Sequence, residues 1–582
     1  MKKEEDVTFK GLFLPFTNKK AITFIFLIGI IVFFNGLFNG FVGDDDVQIV
    51  KNLNVHSIFN IPQFFASSTF YNGSSKLMGV YYKPMLTSFF AAIYTFFGPN
   101  AFMFHLVQIL MHILNASLLF LFLNKFFKRT HSFYLSLIFL VHPFLSEAVF
   151  YVSALQDTLF FFFGIIAMNV LIRITKLKQL IIVFLLLLLS LFSKETGILF
   201  MGVSLMYVLF FNRKILLKFF AGSVFIFSLY LALRIYSIGL FTIATSSPID
   251  KLSLPLRLLN APEIVLFYFR NFFFPFNFAL TYQWVYTSFI FNHFFLPLIV
   301  DLFLFGVIAA FGVFLFKKNK KNYFTTYLFF AYWFLVGLLL HLQIFPLDQT
   351  VADRWFYFPI VGLLGLIAII FENLNFSFNK KWILVILLLV LTLLSARTII
   401  RSFDWYDSLT LYTHDVKVSP DSFSLQNVLG LELMKLNKLQ EAKIHVEKSI
   451  ELYPYFSNYD NLGEIYVGLG EYKNAQKAYL NSLKFGDYYI VYEDLAGLSL
   501  VYGSPEANMK FIAYGLSKFP KDAKLWMYLA IIAYQNNYTD LAKKAIIQSY
   551  VNDKTNPSLP GIYNSIMNNK PLDLQISKYP KQ

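Results

Sequence analysis

The 582-residue chain contains no cysteine. This absence excludes disulfide bonds, thiolate metal sites and cysteine nucleophiles, and says little about the compartment. Charged residues are also scarce, at 14% of the chain against 57% hydrophobic residues. So apolar a composition excludes a soluble globular protein and indicates one that crosses a membrane several times.

The few charges are unevenly distributed, with a net charge of +15. Basic residues cluster in short loops between apolar runs, at 2–20, 125–129, 173–178, 213–218, 317–321 and 380–381. This placement argues against nucleic acid as a partner. If all these loops are cytoplasmic, as the positive-inside rule suggests, the apolar runs alternate consistently across the membrane. We therefore predict a cytoplasmic N-terminus and an extracytoplasmic chain from residue 402 onward.

Apolar runs of about 18 to 22 residues are long enough to cross a bilayer as helices. We predict about eleven crossings, at approximately 21–41, 102–123, 132–150, 156–172, 178–193, 195–211, 215–237, 293–316, 323–344, 355–371 and 382–400. The first is interpreted as an uncleaved signal-anchor helix. The apolar segment 83–98 is interpreted as an interfacial helix in the first outer loop.

Beyond residue 420 the sequence repeats with a period of 33 to 34 residues. The small residues Gly430, Gly463, Ala496 and Ala530 mark four units. This period is typical of tetratricopeptide repeats, in which small residues allow paired helices to pack closely. A generic helical bundle is the alternative. We predict an all-α chain: a polytopic membrane domain at 1–402, a linker at 403–419, about four repeats forming an α-solenoid at 420–555, and a polar tail at 556–582.

Three aspartates, Asp44, Asp45 and Asp46, follow the first apolar run directly. They either end the helix at the water interface or are kept there for chemistry, because adjacent carboxylates near hydrocarbon are unfavourable. An acceptor hydroxyl that attacks a sugar carbon needs such a carboxylate to take its proton. We predict Asp44 as the base and Asp45 as a residue that orients Asp44 or the acceptor, with Asp46 left in solvent.

Other polar residues fall in the same predicted outer segments. Lys83, Lys194 and Arg354 could bind a phosphate, and His142, Glu147, Asp157 and Glu195 could bind the acceptor or sugar or support the site. Each has a simpler interpretation. Lys194 and Glu195 could form an interfacial ion pair, His142 could end a helix, and Arg354 could anchor its helix to lipid head groups. No spacing is diagnostic of a metal site, so we predict none.

Taken together, "FVGDD", "YYKPM", "HPFLSEAVFYVSALQD", "SKETG" and "ADRWFYFP", followed by the repeats, resemble the transmembrane-and-tetratricopeptide O-mannosyltransferase family. The resemblance covers nearly the whole chain. It departs from the family pattern at Lys83–Pro84, where the family usually has Arg-Pro, and at Leu155–Gln156, where the family commonly has an arginine.

The resemblance implies a GT-C glycosyltransferase fold with acidic first-loop residues, here Asp44 and Asp45, beside the reaction centre. It also implies a polyprenyl-phosphate-linked sugar as co-substrate, no further cofactor, a protein or peptide acceptor, and inversion at the anomeric carbon outside the cytoplasm. Two other functions stay open: an oligosaccharide ligase or polymerase that uses a diphosphate-linked glycan, and a membrane-anchored scaffold without enzymatic activity.

Overall fold

A computed structural model describes residues 16–69, 81–239, 247–373, 381–554 and 556–572. Within these ranges the chain is helical, and its only β contact is an isolated antiparallel bridge between Tyr282 and Val351. The prediction of an all-α chain is confirmed for these residues. The chain divides into two compact units, Met1–Asp421 and Ser422–Gln582.

The first unit consists of helices joined mostly by short loops, with longer irregular segments at 274–290 and 340–352. Its α-helices are Asn18–Phe33, Ile61–Phe64, Pro84–Phe97, Ala101–Leu123, Arg129–Val141, Ser146–Phe150, Leu155–Leu171, Gln179–Ser193, Ile198–Phe211, Leu216–Ile238, Leu254–Leu259, Ala261–Phe273, Leu296–Lys317, Lys321–Leu339, Pro359–Asn373, Lys381–Asp404 and Ser408–Val418. Single turns of 3-10 helix precede several of them, including Val152–Ala154, Glu195–Gly197 and Asp353–Tyr357. These turns carry many of the polar residues discussed below.

Seven helices in the described part of the chain are long and apolar enough to cross a membrane, or eight if one bent pair is a single span. Four shorter apolar helices accompany them: Pro84–Phe97, Gln179–Ser193, Glu195–Phe211 and Pro359–Asn373. The first of these is the segment interpreted as interfacial. Eleven crossings would require all of the other three to span the membrane, so that count stays a prediction.

The bent pair is Arg129–Val141 and Pro143–Phe150, which meet at 53°. The sequence predicts a single span here, at 132–150. Pro143 lacks a backbone N–H, and the His142 side chain accepts the N–H of Phe144 at 3.2 Å. These two features end one helix and start the next turn, which places Glu147 on a separate short helix.

Residues 403–419, interpreted from the sequence as a linker, are largely helical and belong to the first unit. A buried ion pair holds them there, with Arg401 Nη1 2.8 Å from Asp415 Oδ1. Asp415 Oδ2 also accepts the main-chain N–H of Leu280 at 2.6 Å. This pairing joins the end of the last long helix to the segment after it, a contact that local composition does not reveal.

The second unit is built from successive helix pairs. They are Phe423–Lys435 with Leu439–Leu452, Phe456–Gly468 with Tyr472–Ser482, Tyr489–Leu498 with Pro505–Lys518, and Ala523–Gln535 with Thr539–Asn552. Gly430 explains why small residues recur: a Cβ there would lie 2.4 Å from Val446 Cγ2 on the paired helix. The repeat spacing thus coincides with helix pairing, and the tetratricopeptide identity of the pairs stays a prediction.

The segment interpreted as a polar tail contains one more helix, Leu559–Met567. Leu559 and Ile566 are buried and pack against the last helix pair, so its apolar side completes that packing. Residues 573–582 of the predicted tail lie outside the described residues.

Candidate active site

A cavity of about 550 Å³ is bordered by segments that the sequence analysis placed in outer loops and by the C-terminal part of the helix Leu216–Ile238. This volume is within the range of about 300–1,000 Å³ that is usual for small-ligand sites. Five of the predicted site residues line it: Asp44, Lys83, Lys194, Glu195 and Arg354. The fold thus brings together charged residues that are up to 310 positions apart in the sequence, from Asp44 to Arg354.

Asp44 follows Gly43, whose backbone conformation any other residue could adopt only with strain. Gly43 has φ +57°, and a Cβ there would lie 3.2 Å from the Tyr151 hydroxyl. Asp44 donates its main-chain N–H to that same hydroxyl at 3.1 Å. The tight turn therefore sets Asp44 against Tyr151.

The carboxylate of Asp44 is open to the cavity while protein surrounds it on its other sides. Desolvation by the surrounding protein raises the pKa of Asp44 above its usual value, whereas Arg354 and a hydrogen bond with Tyr151 act in the opposite direction. A carboxylate with a raised pKa binds a proton more readily. The surroundings of Asp44 therefore suit proton acceptance.

Asp45 points away from the cavity and is completely buried. Its Oδ1 accepts the main-chain N–H of Ser153 at 2.7 Å and the Ser153 hydroxyl at 2.5 Å, and its Oδ2 accepts the N–H of Val42 at 3.1 Å. Burial raises the pKa of Asp45 to about 7, against the effect of these hydrogen bonds. Asp45 therefore fastens the first loop to the turn at Val152–Ala154.

Asp46 differs from both neighbours. Its carboxylate forms an ion pair with the largely exposed Lys51, and nearly half of its side chain is exposed. It does not line the cavity. The three consecutive aspartates thus occupy three different environments.

Lys83 precedes the helix Pro84–Phe97 and is 9% exposed. Its ammonium group lies 3.9 Å from the centre of the Tyr81 ring, a distance typical of a cation–π contact. Burial lowers the pKa of Lys83 to about 8, and the nearby Glu195 acts against that shift. Lys83 is therefore a cation at neutral pH, and it forms no ion pair with another described residue.

Arg354 is held in place by a carboxylate from a distant segment. Glu147 Oε2 accepts the main-chain N–H of Arg354 at 2.8 Å, and Glu147 Oε1 forms an ion pair with Arg354 Nη1. The Glu147 side chain is 2% exposed and that of Arg354 11%. Arg354 thus lines the cavity, and Glu147 supports it from behind.

A second pair has the same arrangement. Lys194 Nζ lies 2.6 Å from Asp157 Oδ1, with Lys194 at the cavity and Asp157 buried behind it. Glu195 is next in sequence to Lys194 but is not its ion-pair partner among the described residues. The alternative of a simple Lys194–Glu195 pair is therefore wrong.

His142 does not line the cavity, and neither of its hydrogen-bond partners does. Its Nδ1 accepts the Phe144 N–H, and its Nε2 lies 3.0 Å from the carbonyl oxygen of Phe272. The ring also stacks on Phe272 at 5.1 Å. Both nitrogens are therefore occupied by the backbone, which fits the helix-terminus interpretation and leaves no group for a sugar.

The cavity also contains residues that the sequence analysis did not single out: Tyr81, Tyr151, Arg234, Asp348 and Trp355. Four of them lie within or beside the quoted motifs, but nothing local separates them from neighbouring polar and aromatic residues. Arg234 had a usable signal, because it is a cation near the end of an apolar helix.

No family model matches the chain, but individual relatives do. Protein O-mannosyl-transferase F38B6.6 of Caenorhabditis elegans is 25% identical over 482 residues, which are 79% of this chain and 62% of that protein. Protein O-mannosyl-transferase TMTC3 of Homo sapiens is 24% identical over 511 residues, 80% of this chain and 55% of that protein. A third, Tmtc3 of Drosophila melanogaster, is 28% identical over 145 residues, 24% of this chain and 15% of that protein.

The predicted resemblance to the transmembrane-and-tetratricopeptide O-mannosyltransferases is thereby confirmed. The chain spans between a half and two thirds of the length of the relatives that match most of it.

Proposed function

We propose that this protein is an integral-membrane glycosyltransferase with a GT-C fold. It transfers a monosaccharide, mannose or a similar hexose, from a polyprenyl-phosphate donor to a hydroxyl group of a protein acceptor. The observation that carries the proposal is the meeting of Asp44 with Lys83, Lys194 and Arg354 around one cavity. The names of the relatives, which are protein O-mannosyl-transferases, support the same reaction class.

The proposed reaction is a single displacement. The acceptor oxygen forms a bond to the anomeric carbon as the bond from that carbon to the phosphate oxygen breaks, so the configuration inverts. Asp44 takes the hydroxyl proton, and the polyprenyl phosphate leaves with the bonding electrons. Lys83, Lys194 and Arg354 bind the phosphate and stabilise its additional negative charge.

Charge distribution favours a monophosphate donor over a diphosphate. Two of the three cations already face a buried carboxylate, Lys194 with Asp157 and Arg354 with Glu147. Lys83 has no such partner at ion-pair distance among the described residues. A fourth cation, Arg234, also lines the cavity, and so do the carboxylates of Asp44, Glu195 and Asp348. The net positive charge is therefore modest, which suits one phosphate better than the two of an oligosaccharide ligase or polymerase donor.

Purified protein given radiolabelled polyprenyl-phosphate mannose and an acceptor protein is expected to form a labelled protein whose anomeric configuration is opposite to that of the donor. Polyprenyl-diphosphate-linked sugar is expected to give none. Transfer from the diphosphate alone would identify a ligase. Absence of transfer from either donor, with binding of the acceptor retained, would favour the scaffold.

We assign the repeats to acceptor binding, because arrays of paired helices present extended surfaces for protein segments. A chain ending at Asp421, the boundary between the two compact units, is expected to glycosylate a short peptide and to lose efficiency with the whole acceptor protein. Equal loss with both acceptors would contradict this assignment.

We also place the cavity and the repeats outside the cytoplasm, with the N-terminus inside, from the distribution of basic loops. A reporter enzyme fused after Pro420 that is active only when exported tests this placement. A cytoplasmic signal there would reverse it.

A further inference from the structure

Asp348 is a third carboxylate at the cavity, which Asp44 and Glu195 also line. It is exposed, lines the cavity with Asp44 and, among the described residues, has no hydrogen-bond or ion-pair partner for its carboxylate. Asp45, Asp46, Glu147 and Asp157 all have such partners. An unpaired carboxylate in a cavity is available to a ligand.

The loop that carries Asp348 is held from within by one amide side chain. Gln343 is completely buried and has φ +58°. Its Nε2 donates to the carbonyl oxygens of Gln349 at 2.7 Å and Thr350 at 2.9 Å, and its Oε1 accepts the N–H of Leu347 at 3.0 Å. Both neighbours of Asp348 are therefore bound by the same side chain.

The loop is also held from outside. Arg257 Nε donates to the Gln343 carbonyl oxygen at 2.9 Å, and the Ser247 hydroxyl donates to that of Leu347 at 2.9 Å. The Thr350 hydroxyl donates to the Trp284 carbonyl oxygen at 2.7 Å. So many side-chain bonds to the main chain of one irregular loop indicate that the position of Asp348 is fixed before a ligand binds.

The same segment supplies two further cavity groups, Arg354 and Trp355. The Trp355 ring stacks on His341 with 5.1 Å between ring centres and 10° between planes. Tyr81 lines the same cavity, and the charge of Asp348 raises the pKa of its hydroxyl. A carboxylate, an aromatic ring and a guanidinium from one segment thus line the same cavity.

We infer that Asp348 binds the hydroxyl groups of the donor sugar, with Trp355 against the apolar face of the sugar ring. This inference rests on the proposed function. A carboxylate beside the phosphate-binding cations repels a phosphate, but it has up to four acceptor positions for hydroxyl hydrogens. The sugar of a sugar phosphate is uncharged, so the carboxylate does not repel it, and its hydroxyl groups can donate hydrogen bonds to the carboxylate.

Equilibrium binding distinguishes a role of Asp348 in sugar binding from a role in maintaining the site or in binding the acceptor. Purified protein is titrated with polyprenyl-phosphate mannose and, separately, with polyprenyl phosphate that carries no sugar. The unmodified protein is expected to bind the sugar-bearing lipid more tightly. In Asp348→Asn this preference is expected to fall by roughly 10- to 100-fold, because hydrogen bonds to a charged group are lost, while the affinity for the bare lipid phosphate stays unchanged. Asp46→Asn, which changes a carboxylate outside the cavity, serves as the matched control.

Three outcomes would overturn the inference. An undiminished preference in Asp348→Asn would show that Asp348 does not contact the sugar. Equal weakening for both lipids would show that it only maintains the site. Unchanged donor binding with a raised KM for the acceptor would assign Asp348 to the acceptor. If the unmodified protein binds neither lipid, the proposed function fails, and the inference fails with it.

Discussion

Asp45 accepts two hydrogen bonds from Ser153, one from its main-chain N–H at 2.7 Å and one from its hydroxyl at 2.5 Å. The two residues are 108 positions apart and both are buried. Their contact fixes the loop in which Asp44 stands next to Asp45. The position of the proposed base is thus set by its neighbour.

Substitutions of Ser153 and of Asp45 should distinguish a loss of stability from a loss of catalytic rate. Ser153→Ala removes one of the two hydrogen bonds and is expected to lower the free energy of unfolding by about 1 kcal/mol with a small loss of kcat. Asp45→Asn places an amide N–H2 where N–H donors converge, so kcat should fall further while the donor KM changes little. Unfolding in detergent and steady-state kinetics measure both. An unchanged kcat in Asp45→Asn would contradict the positioning role.

The pair of Glu147 and Arg354 should behave as a coupled unit. Glu147→Gln leaves the Arg354 charge without its partner, and loss of one member of a buried ion pair typically destabilises by about 3–5 kcal/mol. Adding Arg354→Gln should restore part of that stability. Thermal unfolding of the two single variants and the double variant gives the coupling free energy.

Glu451→Gln is the control for this cycle, because Glu451 pairs with Lys448 on the surface of the second unit. An exposed pair of this kind contributes about 0–1 kcal/mol. Additive effects of Glu147→Gln and Arg354→Gln would show that the buried pair is not coupled.

The rate of sugar transfer should fall at both low and high pH. The raised pKa of Asp44 moves the acid limb above the range of an ordinary carboxyl, because the base works only when deprotonated. On the alkaline side, Lys83 loses its charge as the pH rises through its lowered pKa of about 8. Lys83→Arg should therefore extend activity to higher pH, since a guanidinium stays charged. An alkaline limb that does not move in Lys83→Arg would exclude Lys83 as its source.

Local signals in the sequence were sufficient to predict which segments meet at the cavity. Asp44, Lys83, Lys194 and Arg354 were selected because charges are rare in this chain and these lie at the ends of apolar runs. The partners behind them could not be predicted, because Glu147 and Arg354 are 207 positions apart. Such pairings depend on how helices pack, and a single sequence taken by itself carries no record of that.

His142 and Asp348 show that residue type alone does not predict which side chains face the cavity. His142 has the residue type of a functional group, but its ring is bound by the distant Phe272 carbonyl. Asp348 is an isolated acid in a loop, which is common on any protein surface, and only the folded loop turns it into the cavity. In both cases the surroundings of the side chain in the fold, and not the residue type, decided its role.

The most direct test compares Asp44→Asn with Asp46→Asn in the transfer of labelled mannose from polyprenyl phosphate to an acceptor protein. Asparagine is polar and similar in size but accepts no proton, and loss of a general base typically lowers the rate by about 10²- to 10⁴-fold. We expect such a loss in Asp44→Asn at normal expression, and nearly full activity in Asp46→Asn. Transfer by Asp44→Asn at close to the unmodified rate would contradict the account, and equal loss at Asp44, Asp45 and Asp46 would point to a bound cation instead.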